Sequence, residues 1–158
     1  MIIKCKMITT TNINEARKQI QGLKKEGKQV IIQAQNDEFN RKILENKDVD
    51  IIVGLEFDRK DFLKQRNSGL NEILCKLAKE NDIKIGVDIS KVRRLDKLKK
   101  AKVLARMRQN IFLCRKIGCK IIIFGNDYNK QDYSKQEVMS FFLTFKGSTK
   151  QAIECFKN

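Results

Sequence analysis

A single α/β domain built on a mainly parallel sheet is the fold class this sequence predicts. Two observations lead there. Short runs rich in isoleucine and valine alternate with longer segments whose apolar residues recur at three- and four-residue spacing. The short runs are also apolar almost throughout, as strands covered on both faces are, instead of alternating with polar residues. A chain of 158 residues with no proline, repeat or low-complexity tract fits one domain spanning 1–158.

Taken in order, strands are expected over residues 2–8, 30–34, 49–55, 83–89 and 120–125. Helices are expected over 13–25, 37–45, 70–80, 97–117, 135–146 and 150–156. In the third helix Leu70, Ile73, Leu74, Leu77 and Ala78 share one face, with Ser68 as the expected N-cap and Asn81 and Asp82 as the stop. The long fourth helix carries Val103, Leu104, Met107, Ile111, Cys114 and Ile117 on one stripe, with Lys102, Arg106, Arg108, Arg115 and Lys116 outside it. Phe112 points away from that stripe, toward a neighbouring helix or a partner.

The chain has 34 basic and 19 acidic residues, a net charge of +15. The excess is concentrated. Between residues 91 and 116 stand Lys91, Arg93, Arg94, Lys97, Lys99, Lys100, Lys102, Arg106, Arg108, Arg115 and Lys116 against one acid, Asp96. Focused positive charge of this kind suits a polyphosphate, because each neutralised phosphate releases condensed counterions. An anionic membrane is the other candidate, but the segment has no broad exposed face of large apolar residues. Nucleic acid is therefore the expected partner.

Histidine is absent, so a histidine-built metal site, a His acid–base pair or a nucleophile–His arrangement cannot form. Five cysteines, Cys5, Cys75, Cys114, Cys119 and Cys155, form no Cys-x-x-Cys pair and read as buried reduced thiols. No apolar run reaches membrane-spanning length and no signal peptide is evident, which predicts a cytoplasmic protein.

In parallel α/β folds, ligands gather beyond the carboxyl ends of the strands. Those positions hold Gln33, Gln35, Glu56, Asp58, Asp88, Ser90, Asn126 and Asp127. The carboxylates there either converge on Mg²⁺ or serve as helix caps and lysine partners. Arg66, in a loop with Gln65, Asn67 and Ser68, either clamps a phosphate beside a helix N-terminus or pairs with Asp58 or Asp61.

Three stretches carry a family resemblance. One is the basic loop leading into Ser68-Gly69-Leu70-Asn71-Glu72 and the helix and strand after it. The second is Asn40-Arg41-Lys42-Ile43-Leu44-Glu45-Asn46 followed by Val49-Asp50-Ile51-Ile52. The third is Ala105-Arg106-Met107-Arg108-Gln109-Asn110, then Cys114-Arg115-Lys116 and Ile121-Ile122-Ile123. Together they resemble the TIM-barrel-like (PHP-like) protein subunit of archaeal and eukaryotic ribonuclease P. Family members usually carry further strand–helix units ahead of the first one here, so the resemblance implies an N-terminally short form. The family's "S-G-A … R-S-P" loop corresponds to Gly125-Asn126-Asp127 … Tyr133-Ser134-Lys135, without its arginine and proline.

The resemblance implies an incomplete parallel barrel of about five or six βα units, where length alone also allows a flavodoxin-like open sheet. It implies a noncatalytic subunit of the endonuclease that removes 5′ leaders from precursor tRNA. In that family the RNA subunit performs Mg²⁺-dependent hydrolysis, and no cofactor is expected on this chain. The implied partners are the ribonuclease P RNA, precursor tRNA and a small α/β RNP-type protein subunit, as a dimer of heterodimers. The expected RNA-binding residues are Arg66 and the eleven basic residues from Lys91 to Lys116. The rival expectations are a metal-dependent phosphoesterase using Glu56, Asp88 and Asp127, and a basic scaffold that binds RNA nonspecifically.

Overall fold

The computed structural model describes residues 6–125 and 133–156. Within them are β1 (Lys6–Ile8), α1 (Ile13–Lys25), β2 (Val30–Gln33), α2 (Asp37–Leu44), β3 (Ile51–Val53) and α3 (Glu72–Glu80). Then follow β4 (Lys84–Asp88), α4 (Ile89–Arg93), α5 (Lys97–Ile117), β5 (Ile121–Phe124), α6 (Lys135–Thr144) and α7 (Thr149–Glu154). The part of the first expected strand on residues 2–5 lies outside the described residues, as do Cys5, Asn126 and Asp127.

All five strands are parallel and lie in chain order, β1-β2-β3-β4-β5. A flavodoxin-like sheet would place β2 outside β1. The open-sheet alternative is thus corrected in favour of a barrel-like succession, although the described sheet does not close on itself. Register follows from the sequence pattern. Ile8, Ile32, Ile52, Ile85 and Ile121 stand side by side across the five strands, each almost fully buried. Slipping any strand by one residue would turn its isoleucine to the opposite face. On the other face Gly86 makes room for Phe124, whose ring would lie 2.9 Å from a Cβ at that position.

The third helix starts later than its pattern suggests. Gly69 has φ +76, and a Cβ there would sit 2.1 Å from the Leu55 carbonyl oxygen. The chain therefore cannot be helical from Ser68. Asn71 is the cap instead, accepting from the Leu74 amide at 2.9 Å, while Ser68 is buried and donates to the Leu70 carbonyl. The inward face shifts with the start: Leu74, Cys75 and Ala78 are buried, Leu77 is half-buried and Ile73 is 61% exposed. Leu74→Ala should cost about 2–4 kcal/mol by urea unfolding and Leu77→Ala clearly less. A loss below about 1 kcal/mol at Leu74 would show that α3 does not pack as described.

Helix α4 was not apparent in the sequence, where residue 89 reads as the end of a strand. Asp88 ends β4 and at once caps α4, accepting from the Lys91 amide at 3.0 Å. A single turn with no intervening loop is too short for a helical period to register. The bounds of α1 and α5 match the sequence reading.

Candidate nucleic-acid interface

The loop of residues 54–71, after β3, and the α4–α5 segment, after β4, meet at the carboxyl edge of the sheet. Buried polar side chains join them. Arg106, 5% exposed, donates to the Asp61 carboxylate at 3.0 Å and to the Arg59 carbonyl at 2.8 Å, with a longer bond of 3.4 Å to the Glu56 carbonyl. Asn110, one turn further on, donates to the Ser68 carbonyl at 3.0 Å. Arg59 staples the same loop to the previous one, donating to the Leu55 and Gln35 carbonyls and pairing with Asp37. Asn40 holds that previous loop by a reciprocal pair of bonds to the Gln35 backbone.

Arg106 is therefore a correction: it lies at the edge of the buried arc of α5, and its guanidinium faces inward. The Asp61 carboxylate that was a candidate partner for Arg66 pairs with Arg106. It is held below the usual carboxylate range, first by the Asn67 amide and then by Arg106. Arg66 is exposed and has no ion pair among the described residues.

The remaining cations divide by position. Lys91 lies over the Phe57 ring at 4.3 Å from its centroid, and Arg93 over Tyr133 at 5.6 Å. Lys99 pairs with the α5 cap Asp96. Arg94, Lys97, Lys100, Lys102 and Arg108 carry no ion pair among the described residues, and all but half-buried Lys100 are exposed. Arg115 and Lys116 do not join this group. They stand at the far end of a helix roughly 30 Å long, just before the amino end of β5. There Arg115 donates to the Lys146 carbonyl and Lys116 pairs with Glu72. Phe112, 52% exposed, is not covered by a neighbouring helix.

The carboxylates at this edge take unlike roles. Asp88 is a cap, also accepting from the Ser90 hydroxyl at 2.7 Å. Glu56 is 1% exposed, and its Oε1 has no hydrogen-bond partner. Burial, with the Asp88 charge nearby, raises its pKa from the ordinary 4.5 to about 7. Between these values the folded chain keeps a proton that the unfolded chain has released. Stability therefore falls as pH rises through that window, by about 1.4 kcal/mol per unit, and does not recover above it. Glu56→Gln is expected to abolish that fall and to raise stability at about pH 8 by up to about 3 kcal/mol. Urea midpoints of both proteins at about pH 5 and about pH 8 check this; equal pH dependence would refute the burial argument.

Sequence reasoning missed Arg59 and the inward roles of Asn40, Arg106 and Asn110. The available signal was that Asn40, Arg106 and Asn110 all lie in the stretches carrying the family resemblance.

Comparison with known proteins adds an independent line. No family model matches the chain. Ribonuclease P protein component 3 of Methanococcus vannielii is 26% identical over 116 residues, covering 73% of this chain and 48% of the relative. The same-named protein of Methanosarcina mazei is 27% identical over 113 residues, 71% of this chain and 44% of the relative. By sequence the chain is similar to ribonuclease P protein component 3. It spans about half the length of the component 3 proteins it matches. That of Methanosarcina acetivorans reaches 30% identity over a shorter stretch, 94 residues. A chain in a cryo-EM structure of archaeal ribonuclease P with mature tRNA superposes with a TM-score of 0.77 at 23% identity. The match covers 96% of this chain and 63% of that one, and shows that the barrel-like fold is shared. No helix among the described residues is long and apolar enough to cross a membrane.

Proposed function

We propose that this chain is a noncatalytic protein subunit of ribonuclease P. It binds and stabilises the RNA subunit, which carries out Mg²⁺-dependent removal of the 5′ leader from precursor tRNA. The observation that carries the reading is the similarity to component 3 proteins along 116 residues. The unpaired cations at the carboxyl edge of the sheet supply the physical means. Arg66, Arg94, Lys97, Lys100, Lys102 and Arg108 engage phosphates, and buried Arg106 and Asn110 hold the loop that presents Arg66. Lys91, Arg93 and Lys99 add charge from partly committed positions, while Arg115 and Lys116 are peripheral. The protein partner is a small α/β RNP-type subunit, in a dimer of heterodimers, and the complex works in the cytoplasm.

A second reading, a metal-dependent phosphoesterase, draws on the orphaned Glu56 oxygen near Asp88. Affinity purification of the tagged chain, followed by sequencing of the RNA that accompanies it, separates the readings. One structured RNA together with tRNA precursors is the expected result. A diffuse RNA population would replace the subunit reading with a nonspecific scaffold. Metal-dependent turnover by the purified chain, lost in Glu56→Ala, would establish the phosphoesterase.

A further inference from the structure

Away from the interface, three cysteines from separate places in the sequence converge in the core. Cys75 lies on the inward face of α3, Cys114 in the last turn of α5, and Cys119 just beyond that helix. All three are buried, and their sulfur atoms lie within 4.8 Å of one another. The backbone is shaped to bring them together. Gly118 takes φ +81 as the left-handed C-cap of α5, and the amides of both Gly118 and Cys119 donate to the Cys114 carbonyl, at 2.8 and 3.1 Å. That reversal folds Cys119 back beside Cys114, and the packing of α3 on α5 supplies Cys75.

Buried cysteines often act as small apolar residues, but a core of isoleucine and valine has no need for three thiols in mutual contact. We propose that Cys75, Cys114 and Cys119 form a three-thiolate site for a soft, thiophilic d10 cation, with Cu(I) the best match. Thiolates are the donors such ions prefer, and Cu(I) is content with three of them. Zn(II) ordinarily takes four ligands, and no fourth side-chain donor converges here among the described residues. A metal–sulfur bond of about 2.3 Å places thiolates sharing one ion roughly 3.8–4 Å apart. The present spacing therefore requires an inward closure of about 1 Å at most, within reach of small side-chain rotations.

The surroundings provide charge compensation. The Lys79 ammonium donates to the Ile117 carbonyl at 3.0 Å and lies beside Gly118, at the exposed end of the cluster. Cys119 follows Gly118 directly and so stands at that end of the cluster. Each thiol that ligates gives its proton to solvent, so affinity falls with falling pH.

The test uses the full chain under anaerobic, reducing conditions, with Cu(I), Zn(II) and Cd(II) added singly and stoichiometry read by native mass spectrometry. One Cu(I) per chain is expected, with a rise in thermal midpoint that depends on ion concentration. Binding should be lost in Cys75→Ser, Cys114→Ser and Cys119→Ser and kept in Cys155→Ser. Because a serine in the core can unfold the chain, X-ray absorption of the wild-type complex gives a second readout: a single shell of three sulfurs. No binding, binding that survives the three serine changes in a folded chain, or a shell of nitrogen and oxygen would overturn the site. Tighter four-coordinate binding of Zn(II) than of Cu(I) would overturn the trigonal assignment. None of these results bears on RNA binding, so the site and the ribonuclease P reading stand or fall separately.

Discussion

Replacing Arg106 with alanine is expected to cost about 1–3 kcal/mol of folding stability, the range for leaving buried carbonyl acceptors without their donor. Its guanidinium holds three acceptors of one loop: the Asp61 carboxylate and the carbonyls of Arg59 and Glu56. Truncation leaves those groups without their donor at the junction of the β3 loop and α5. Lysine should not rescue the change, since a point ammonium cannot present the planar set of donors that spans them. Arg108→Ala, two residues along on the exposed side of α5, should stay within about 0.5 kcal/mol. Denaturant unfolding of the three variants decides it. Equal effects at Arg106 and Arg108 would mean that the inward bonds contribute nothing. The loss at Arg106 should also weaken RNA binding, through disorder of the loop that carries Arg66, with the salt slope reduced by about one unit at most, the share of that one arginine.

The opposite pattern is expected at the surface. Changing Arg93, Arg94, Lys97 and Lys100 together to glutamine should leave folding intact, weaken binding to structured RNA and flatten its salt dependence. With roughly four to eight phosphates engaged, log K for the unaltered chain should fall about three to seven units per tenfold rise in salt. Four lost contacts would remove about three to four units of that slope. Leader removal by a reconstituted holoenzyme should slow in parallel. The matched control is Lys18, Lys25, Lys28 and Lys47, exposed on α1 or just ahead of the amino ends of β2 and β3. Lys24 is unsuitable for that set, because its ammonium binds both oxygens of Asp50 at 3.0 Å. Equal damage from the two sets would show that overall charge, not a located surface, carries binding. No damage from the first set would remove the α4–α5 segment from the interface. The salt slope also separates the two classes of residue: it falls by about three to four units when the four surface cations are lost and by about one at most when Arg106 is lost.

The regular elements could be read from the chain because their causes are local. Apolar period, caps and charge placement define α1 and α5 without reference to anything distant, and continuous Ile/Val runs mark β2 through β5. The row of isoleucines across the sheet is a long-range fact that leaves a local trace, since each strand offers such a residue at matching depth. The family resemblance, too, is present in short stretches of sequence. What the tertiary structure alone decided concerns residues whose environment comes from afar. Strand order, which excluded the flavodoxin-like sheet, depends on which strands pair. Gly69 moved the start of α3 because a backbone oxygen fourteen residues earlier fills the space its Cβ would need. Arg106 reads as one more surface cation until Asp61 and two carbonyls, 45 to 50 residues away along the chain, are brought to it. Cys75 meets Cys114 and Cys119 only when α3 packs on α5. A side chain's charge or thiol is written in the sequence; whether it faces water, an anion or two other sulfurs is fixed by burial, which only the packed chain supplies.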